Sequence, residues 1–148
     1  MRSVTDIASV TASELHLLAR RSELAVARDY AEDIAAAFGL DDDSRYEFVY
    51  AVNEAVTNAI RHGASDEHDM IHMSIVVDGD RLTFAVHDRG TFVMPEVDQV
   101  GNSAGGRGLA LMATLVDEID VHIDPGGTTV RLCKVRPAGL HTVQARAG

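Results

Sequence analysis

Apolar and polar positions alternate through ELHLLAR (14–20), the signature of a short, half-buried strand. From Ser22 the period becomes helical in SELAVARDYAEDIAAAFG, with Ser22 placed to cap the helix and Gly39 to end it. A second helix follows in LDDDSRYEFVYAVNEAVTNAIRHG. Its acidic start complements the positive end of the helix dipole, and Gly63 closes it. After the polar loop ASDEHD, the stretch MIHMSIVVDGDRLTFAVHDRG reads as a hairpin. Runs rich in β-formers, about 70–77 and 81–87, flank Asp78-Gly79-Asp80, which carries an Asp-Gly turn signal. Five of the chain's 12 glycines then fall between residues 90 and 108, with Pro95 among them, so this stretch reads as a long loop. RGLALMATLVDEI is a third helix starting abruptly at those glycines. VHID and TTVRLCKV flank Pro125-Gly126-Gly127 as a second hairpin. Residues 137–148 read as a flexible tail, leaving 1–136 as one domain.

The element order β-α-α-β-β-loop-α-β-β sets strands beside strands and helices beside helices. That order predicts an α+β fold, a two-layer sandwich in which a mostly antiparallel sheet is covered on one face by three helices. A chain of 148 residues, 46% hydrophobic and 24% charged, can bury such a core without disulfides or metals. The net charge of -10, with no Lys/Arg run, excludes nucleic acid as a partner. The only cysteine, Cys133, sits in the apolar run VRLCKV. It cannot form an internal disulfide, which suits a reducing compartment, and a cytoplasmic location is expected. The N-terminal MRSVTDIASVTAS has no apolar signal core, and no stretch approaches the ~20 apolar residues of a membrane span, so no membrane partner is expected.

Candidate chemistry begins with what is missing. Lys134 is the single lysine, near the end of the chain and outside any Gly-rich context. P-loop and eukaryotic-type protein kinase designs, both of which need a lysine at the phosphates, are therefore excluded. Neither HExxH nor a Cys-His cluster occurs, which argues against zinc. The seven histidines scatter over a helix, strands, loops and tail.

The second helix breaks a local rule. Asn53, Thr57 and Asn58 are weak helix formers clustered on its polar arc, where Glu, Lys, Gln and Arg would be favoured. Glu54 and Asn58, four residues apart, point the same way within about 40°. A carboxylate and an amide so placed can supply a base and an oxygen ligand for Mg²⁺, or can simply face water. Asn53 and Thr57 lie roughly 60 to 100° off that direction and suggest a partner surface. Asp88-Arg89-Gly90 ends a strand, where Gly90 would let backbone approach a flat ligand and Asp88 could accept from an exocyclic amine. The same tripeptide is equally a turn signal. GGRGLALM (105–112) runs glycines into a helix start, either a phosphate site or a flexible loop ending at a helix.

Taken together and in this order, these segments resemble the Bergerat-fold ATPase superfamily of gyrase, sensor histidine kinases and heat-shock chaperones. Within it they are most like the small anti-sigma-factor serine kinases of bacteria. NEAVTNAIRHG resembles that family's N box, VHDRG its first glycine box, GGRGLALM its second, and GGTTVRL its terminal strand with an adenine-site threonine. The likeness covers roughly residues 12 to 135. It implies Glu54 as general base toward a substrate hydroxyl and Asn58 as the Mg²⁺ ligand, with His62 in the same region. Asp88 would bind the adenine amine, with Gly90 making room and Thr128 supporting the contact. Gly105, Gly106, Arg107, Gly108 and Leu109 would hold phosphates beneath a lid formed by about 91–105. Two departures stand out: Thr91-Phe92 replaces the second glycine of an Asp-x-Gly-x-Gly box, and Arg61 occupies a position where gyrase-like members place an acid.

With no phospho-accepting histidine helix ahead of it and no room for a second catalytic domain, histidine-kinase and chaperone roles are disfavoured. The resemblance implies an ATP-dependent protein serine/threonine kinase using ATP and Mg²⁺. Its partners would be a sigma factor and a small anti-sigma-factor antagonist, and its assembly a homodimer. The alternative is an adaptor of the same fold whose catalysis has lapsed and which acts by binding alone.

Overall fold

The computed structural model describes residues 2–7, 10–63, 66, 68–90 and 104–136, with side chains excluded for 2–7, 10, 62, 63 and 104–108. The elements run β1 (Arg2–Ile7), β2 (Val10–Leu18), α1 (Leu24–Phe38), α2 (Asp42–Asn58), β3 (Met70–Asp78), β4 (Arg81–Asp88), α3 (Ala104–Leu115), β5 (Glu118–Asp124) and β6 (Gly127–Val135). The six strands form one sheet in the order β1-β2-β3-β4-β6-β5, with every pairing antiparallel. The predicted α+β architecture is therefore present, with an additional N-terminal strand that the sequence reading did not assign. α1 lies against β3, α2 over β4 and β6, and α3 over β5.

The period-2 pattern decides which face carries the helices. Ile71, Met73 and Ile75 of β3, Leu82, Phe84 and Val86 of β4, and Val130 and Leu132 of β6 point inward. They meet Phe48, Val52 and Val56 of α2, all fully buried. α1 presents Ala27, Ala31 and Ala35, small side chains at i, i+4 and i+8 that let its backbone approach closely. The buried Tyr30 hydroxyl donates to the Ser13 carbonyl at 2.8 Å, tying α1 to β2.

Several element boundaries differ from expectation. Ser22 is not a helix cap. It lies in a 3-10 turn, Arg21–Glu23, and α1 begins at Leu24 without a side-chain cap. The backbone makes that turn, with Glu23 N–H donating to the Arg20 carbonyl. Gly39 does end α1 in the left-handed region, at φ 96°. Asp41 caps α2, accepting from the Ser44 amide at 2.7 Å. This hydrogen bond to the charged carboxylate holds its pKa below the usual aspartate value. α2 does not run regularly to Gly63: after Asn58 it widens into a π turn, Ala59–Gly63.

α3 begins at Ala104, three residues earlier than predicted, and stops at Leu115, so Glu118 and Ile119 are strand. Sheet pairing captures the chain there: the Asp117 amide donates to the Cys133 carbonyl, and the Asp117 carboxylate accepts from the Val135 amide at 2.6 Å. Lys134, the lone lysine, is buried and caps the helix, donating to the Leu115 carbonyl at 2.8 Å and pairing with Glu47 of α2 at 3.4 Å. Lys134→Met would leave that carbonyl undonated and Glu47 unpaired. It is expected to lower stability by about 1–3 kcal/mol, read as a lower urea midpoint at unchanged slope.

Candidate nucleotide site

The strand order creates the site. The chain leaves β4, passes through α3 to the outer strand β5, and returns as β6 between them. Because β4 and β6 are antiparallel, the end of one lies beside the start of the other, and Asp88 is the register partner of Thr128. Asp88, 6% exposed, accepts from the Gly90 amide through Oδ1 at 2.9 Å, while Oδ2 has no partner among the described residues. Thr128, 1% exposed, reaches the Gly90 carbonyl with its hydroxyl at 3.3 Å. Burial raises the Asp88 pKa. The Gly90 amide, and to a smaller extent His87, oppose that shift.

Gly127 is the residue that sequence reasoning missed. It adopts φ +130°, and a Cβ there would sit 1.9 Å from the Asp88 carbonyl oxygen and 2.8 Å from the Arg89 Cα. Only glycine lets the start of β6 pass this close to the Asp88-Gly90 turn. The Pro125-Gly126-Gly127 triplet signalled a turn, but nothing local signalled what would press against it.

Across the cleft lies α2. Asn58 is 8% exposed and makes no hydrogen bond to any described residue. Only part of the residue is covered: its amide atoms are not among the side-chain atoms sealed from solvent without a partner, so they open on the cleft, where water or a ligand can meet them. Asn58 lines the cleft together with Asp88, Thr128, Leu109 and Met112. Glu54, partly buried, stands one helical turn before Asn58 on the same side of α2. His62 lies in the π turn that follows Asn58.

Asn53 and Thr57, read from the sequence as a partner surface, both have partners within the chain. Asn53 accepts from Arg28 of α1 at 3.1 Å, and the Thr57 hydroxyl donates back to the Asn53 carbonyl at 2.7 Å. One bond ties α2 to α1 and the other stays within α2.

α3 opens toward this end of the sheet. Starting at Ala104, it leaves the amides of Ala104, Gly105 and Gly106 without intrahelical acceptors. Gly108 and Leu109 lie a turn inside, where their amides bond back along the helix. Arg107 occupies the first turn. Residues 91–103 of the expected lid, Thr91 and Phe92 among them, and the tail 137–148 lie outside the described residues, while 104 and 105 belong to α3. Between α2, α3 and the strand ends, the cleft has only about 10 Å³ of open volume, room for about one water.

The donor set fits a nucleotide with a hard cation: a carboxylate oxygen with no partner among the described residues for an amine, a hydroxyl beside it, an amide oxygen on the cleft for Mg²⁺, and helix-start amides without intrahelical acceptors for phosphate. None of the described helices is long and apolar enough to cross a membrane. Cys133 is buried, and burial raises its thiol pKa, so it behaves as a small apolar side chain.

Comparison with known proteins agrees with the fold. Residues 17–134 match the histidine kinase-like ATPase domain family. An anti-sigma F factor of Thermoanaerobacter sp. (strain X514) is 30% identical over 119 residues, covering 71% of this chain and 82% of the relative. A serine-protein kinase RsbW of Bacillus licheniformis is 37% identical over 117 residues, covering 68% and 71%. The crystal structure of the RsbU and RsbW domains of a Mycobacterium tuberculosis protein superposes with a TM-score of 0.64 at 29% identity. That match covers 84% of this chain and 33% of the solved one.

Proposed function

The chain belongs to the histidine kinase-like ATPase family, and from that premise we propose that it is an ATP-dependent protein serine/threonine kinase acting as an anti-sigma factor. Its substrate would be a small anti-sigma-factor antagonist, and a sigma factor would be its regulatory target. The relatives named serine-protein kinase and anti-sigma factor, which share 30–37% of aligned residues, support the class. The observation that carries the site reading is a pair lining one cleft: Asp88, whose Oδ2 has no partner among the described residues, and Asn58, whose amide has none among them either.

In this reading Asp88 accepts from the adenine amine, with Gly90 and Thr128 holding its geometry. Asn58 holds Mg²⁺, which would neutralise charge on the phosphates. The amides of Gly105 and Gly106, with Arg107, meet the phosphates at the start of α3. Gly108 gives that turn close approach, and Leu109 closes the base pocket. Glu54 orients the substrate hydroxyl and takes its proton, while His62 contributes from the π turn. The chain acts in the cytoplasm as a homodimer.

Transfer of labelled phosphate from ATP to candidate antagonists tests the reading. Glu54→Ala is expected to lower transfer about 10²–10⁴-fold, the range for removing a general base, while ATP affinity stays within a factor of a few. Undiminished transfer by that variant would remove Glu54 from the role.

The second reading, an adaptor acting by binding alone, is favoured by the narrow cleft and by Thr91-Phe92 in place of a second box glycine. Calorimetry that detects neither ATP nor ADP at millimolar nucleotide would select it.

A further inference from the structure

The helix-free face of the sheet carries a row of histidines that the sequence spacing hides. His16 of β2 pairs in register with His72 of β3, and His72 with His87 of β4. His87 then pairs with Thr129 of β6, and Thr129 with His122 of β5. Four of the seven histidines, scattered along the sequence, thus share one line across five strands. Within that row one cluster stands apart. Glu14, two residues before His16 and so on the same face of β2, joins His16 and His72, and ligand atoms from all three lie within 4.8 Å of one another.

We propose that Glu14, His16 and His72 form a binding site for a divalent transition-metal ion of the zinc class, tying β2 to β3. The His16 and His72 rings stack with centroids 4.3 Å apart and planes 14° from parallel. His72 Nε2 is 3.8 Å from Glu14 Oε1 and, although enclosed, has no hydrogen-bond partner. An imidazole nitrogen so enclosed lacks the hydrogen-bond partner or metal ion that would satisfy it. The side chains themselves are reachable from solvent, 39% exposed for His72 and 50% for Glu14, so an ion has an entry path.

Two imidazoles and one carboxylate make the ligand set of open zinc sites, with the remaining position left to water. Hard cations such as Mg²⁺ and Ca²⁺ prefer all-oxygen sites and would not select it. Nitrogens bound at about 2.0–2.1 Å in tetrahedral geometry lie roughly 3.4 Å apart. Because a metal lies in the plane of each imidazole that binds it, the stacked rings must first swing apart until both planes meet at the ion, a rearrangement within reach of two partly exposed side chains. Among the described residues the other histidine–carboxylate pairs, His68–Asp66 at 2.7 Å and His122–Asp124 at 3.3 Å, belong to no cluster of three. His87, next in the row, is engaged with the Thr129 hydroxyl at 2.9 Å. The site lies on the face of the sheet opposite Asn58 and needs no nucleotide, so it stands independently of the kinase reading.

Calorimetry of untagged full-length protein, stripped of metal and titrated with Zn²⁺, tests it. One Zn²⁺ per chain is expected, with a thermal midpoint that rises with the ion and falls back on adding chelator. His16→Ala and His72→Ala should each weaken binding by about 100-fold or more, beyond the range typical for losing an outer-shell contact. His122→Ala should leave it unchanged. Co²⁺ should give the visible absorption of a low-coordinate nitrogen-oxygen site, lost in the same variants. Far-ultraviolet circular dichroism confirms folding, and the exposed His16 variant serves if His72→Ala fails to fold. Absence of Zn²⁺ uptake, or uptake untouched by both His16→Ala and His72→Ala, would overturn the assignment.

Discussion

Replacing Asp88 with Asn is expected to weaken ATP binding by about 100-fold or more while leaving the protein folded. The substitution keeps the acceptor used by the Gly90 amide, since the Asn oxygen can take the place of Oδ1. What changes is the second position, where an oxygen acceptor becomes an NH₂ donor facing the donor amine of the base. A lost hydrogen bond to a charged group, together with a buried mismatch, is worth about 3 kcal/mol, hence the expected factor.

Stability should move the other way, and its pH dependence gives a second readout. Burial raises the Asp88 pKa above its ordinary value of 3.8. Below that value the carboxyl is protonated in folded and unfolded chains alike, and wild type carries no penalty. As pH rises, the unfolded chain ionises first, so stability falls until the folded carboxyl also ionises, after which the penalty is complete. An amide never titrates. The melting temperature of Asp88→Asn should therefore exceed that of wild type near neutral pH, and the gap should close on acidification toward about pH 4. A variant that melts lower than wild type at neutral pH would show that the Asp88 charge stabilises the fold. Unchanged ATP affinity would place the base elsewhere.

Gly127→Ala is the second large effect. The added Cβ would meet the Asp88 carbonyl oxygen at 1.9 Å and the Arg89 Cα at 2.8 Å, and the backbone is already at φ +130°. Neither obstacle is a flexible side chain, so β6 or the Asp88-Gly90 turn must shift. Strain and clash together should cost about 3 kcal/mol or more, and so lower the melting temperature by about 6–12 °C for a chain of this size. Nucleotide binding should fall with it, because the displaced segment carries Asp88. Gly79→Ala offers a matched control: its φ is +59° but a Cβ there meets nothing within 4 Å, so only the smaller backbone strain applies. Equal losses in the two variants would mean that conformation alone, and not the contact with Asp88, makes Gly127 necessary.

Much of this was legible in the chain because it is local. The hairpin around Gly79, the left-handed Gly39, and the buried stripe of Phe48, Val52 and Val56 follow from turn chemistry and side-chain period, which act within a few residues. Boundaries were less legible where a distant strand decides them. Val116 and Asp117 continue an acceptable helical pattern, yet β6 captures the Asp117 amide and carboxylate and ends α3 at Leu115. Ser22 carries a capping side chain but sits in a turn that the backbone closes by itself.

By itself, the order of residues determined the α+β class, the inward and outward faces of the main elements, and three polar segments whose family likeness names an ATP site. Their union was a tertiary matter. Asp88 and Thr128 are forty residues apart and meet only because β6 returns between β4 and β5, which also makes Gly127 indispensable. Glu14 and His16 meet His72 for the same reason: register between strands is set by which faces are buried, and no spacing along the chain records it.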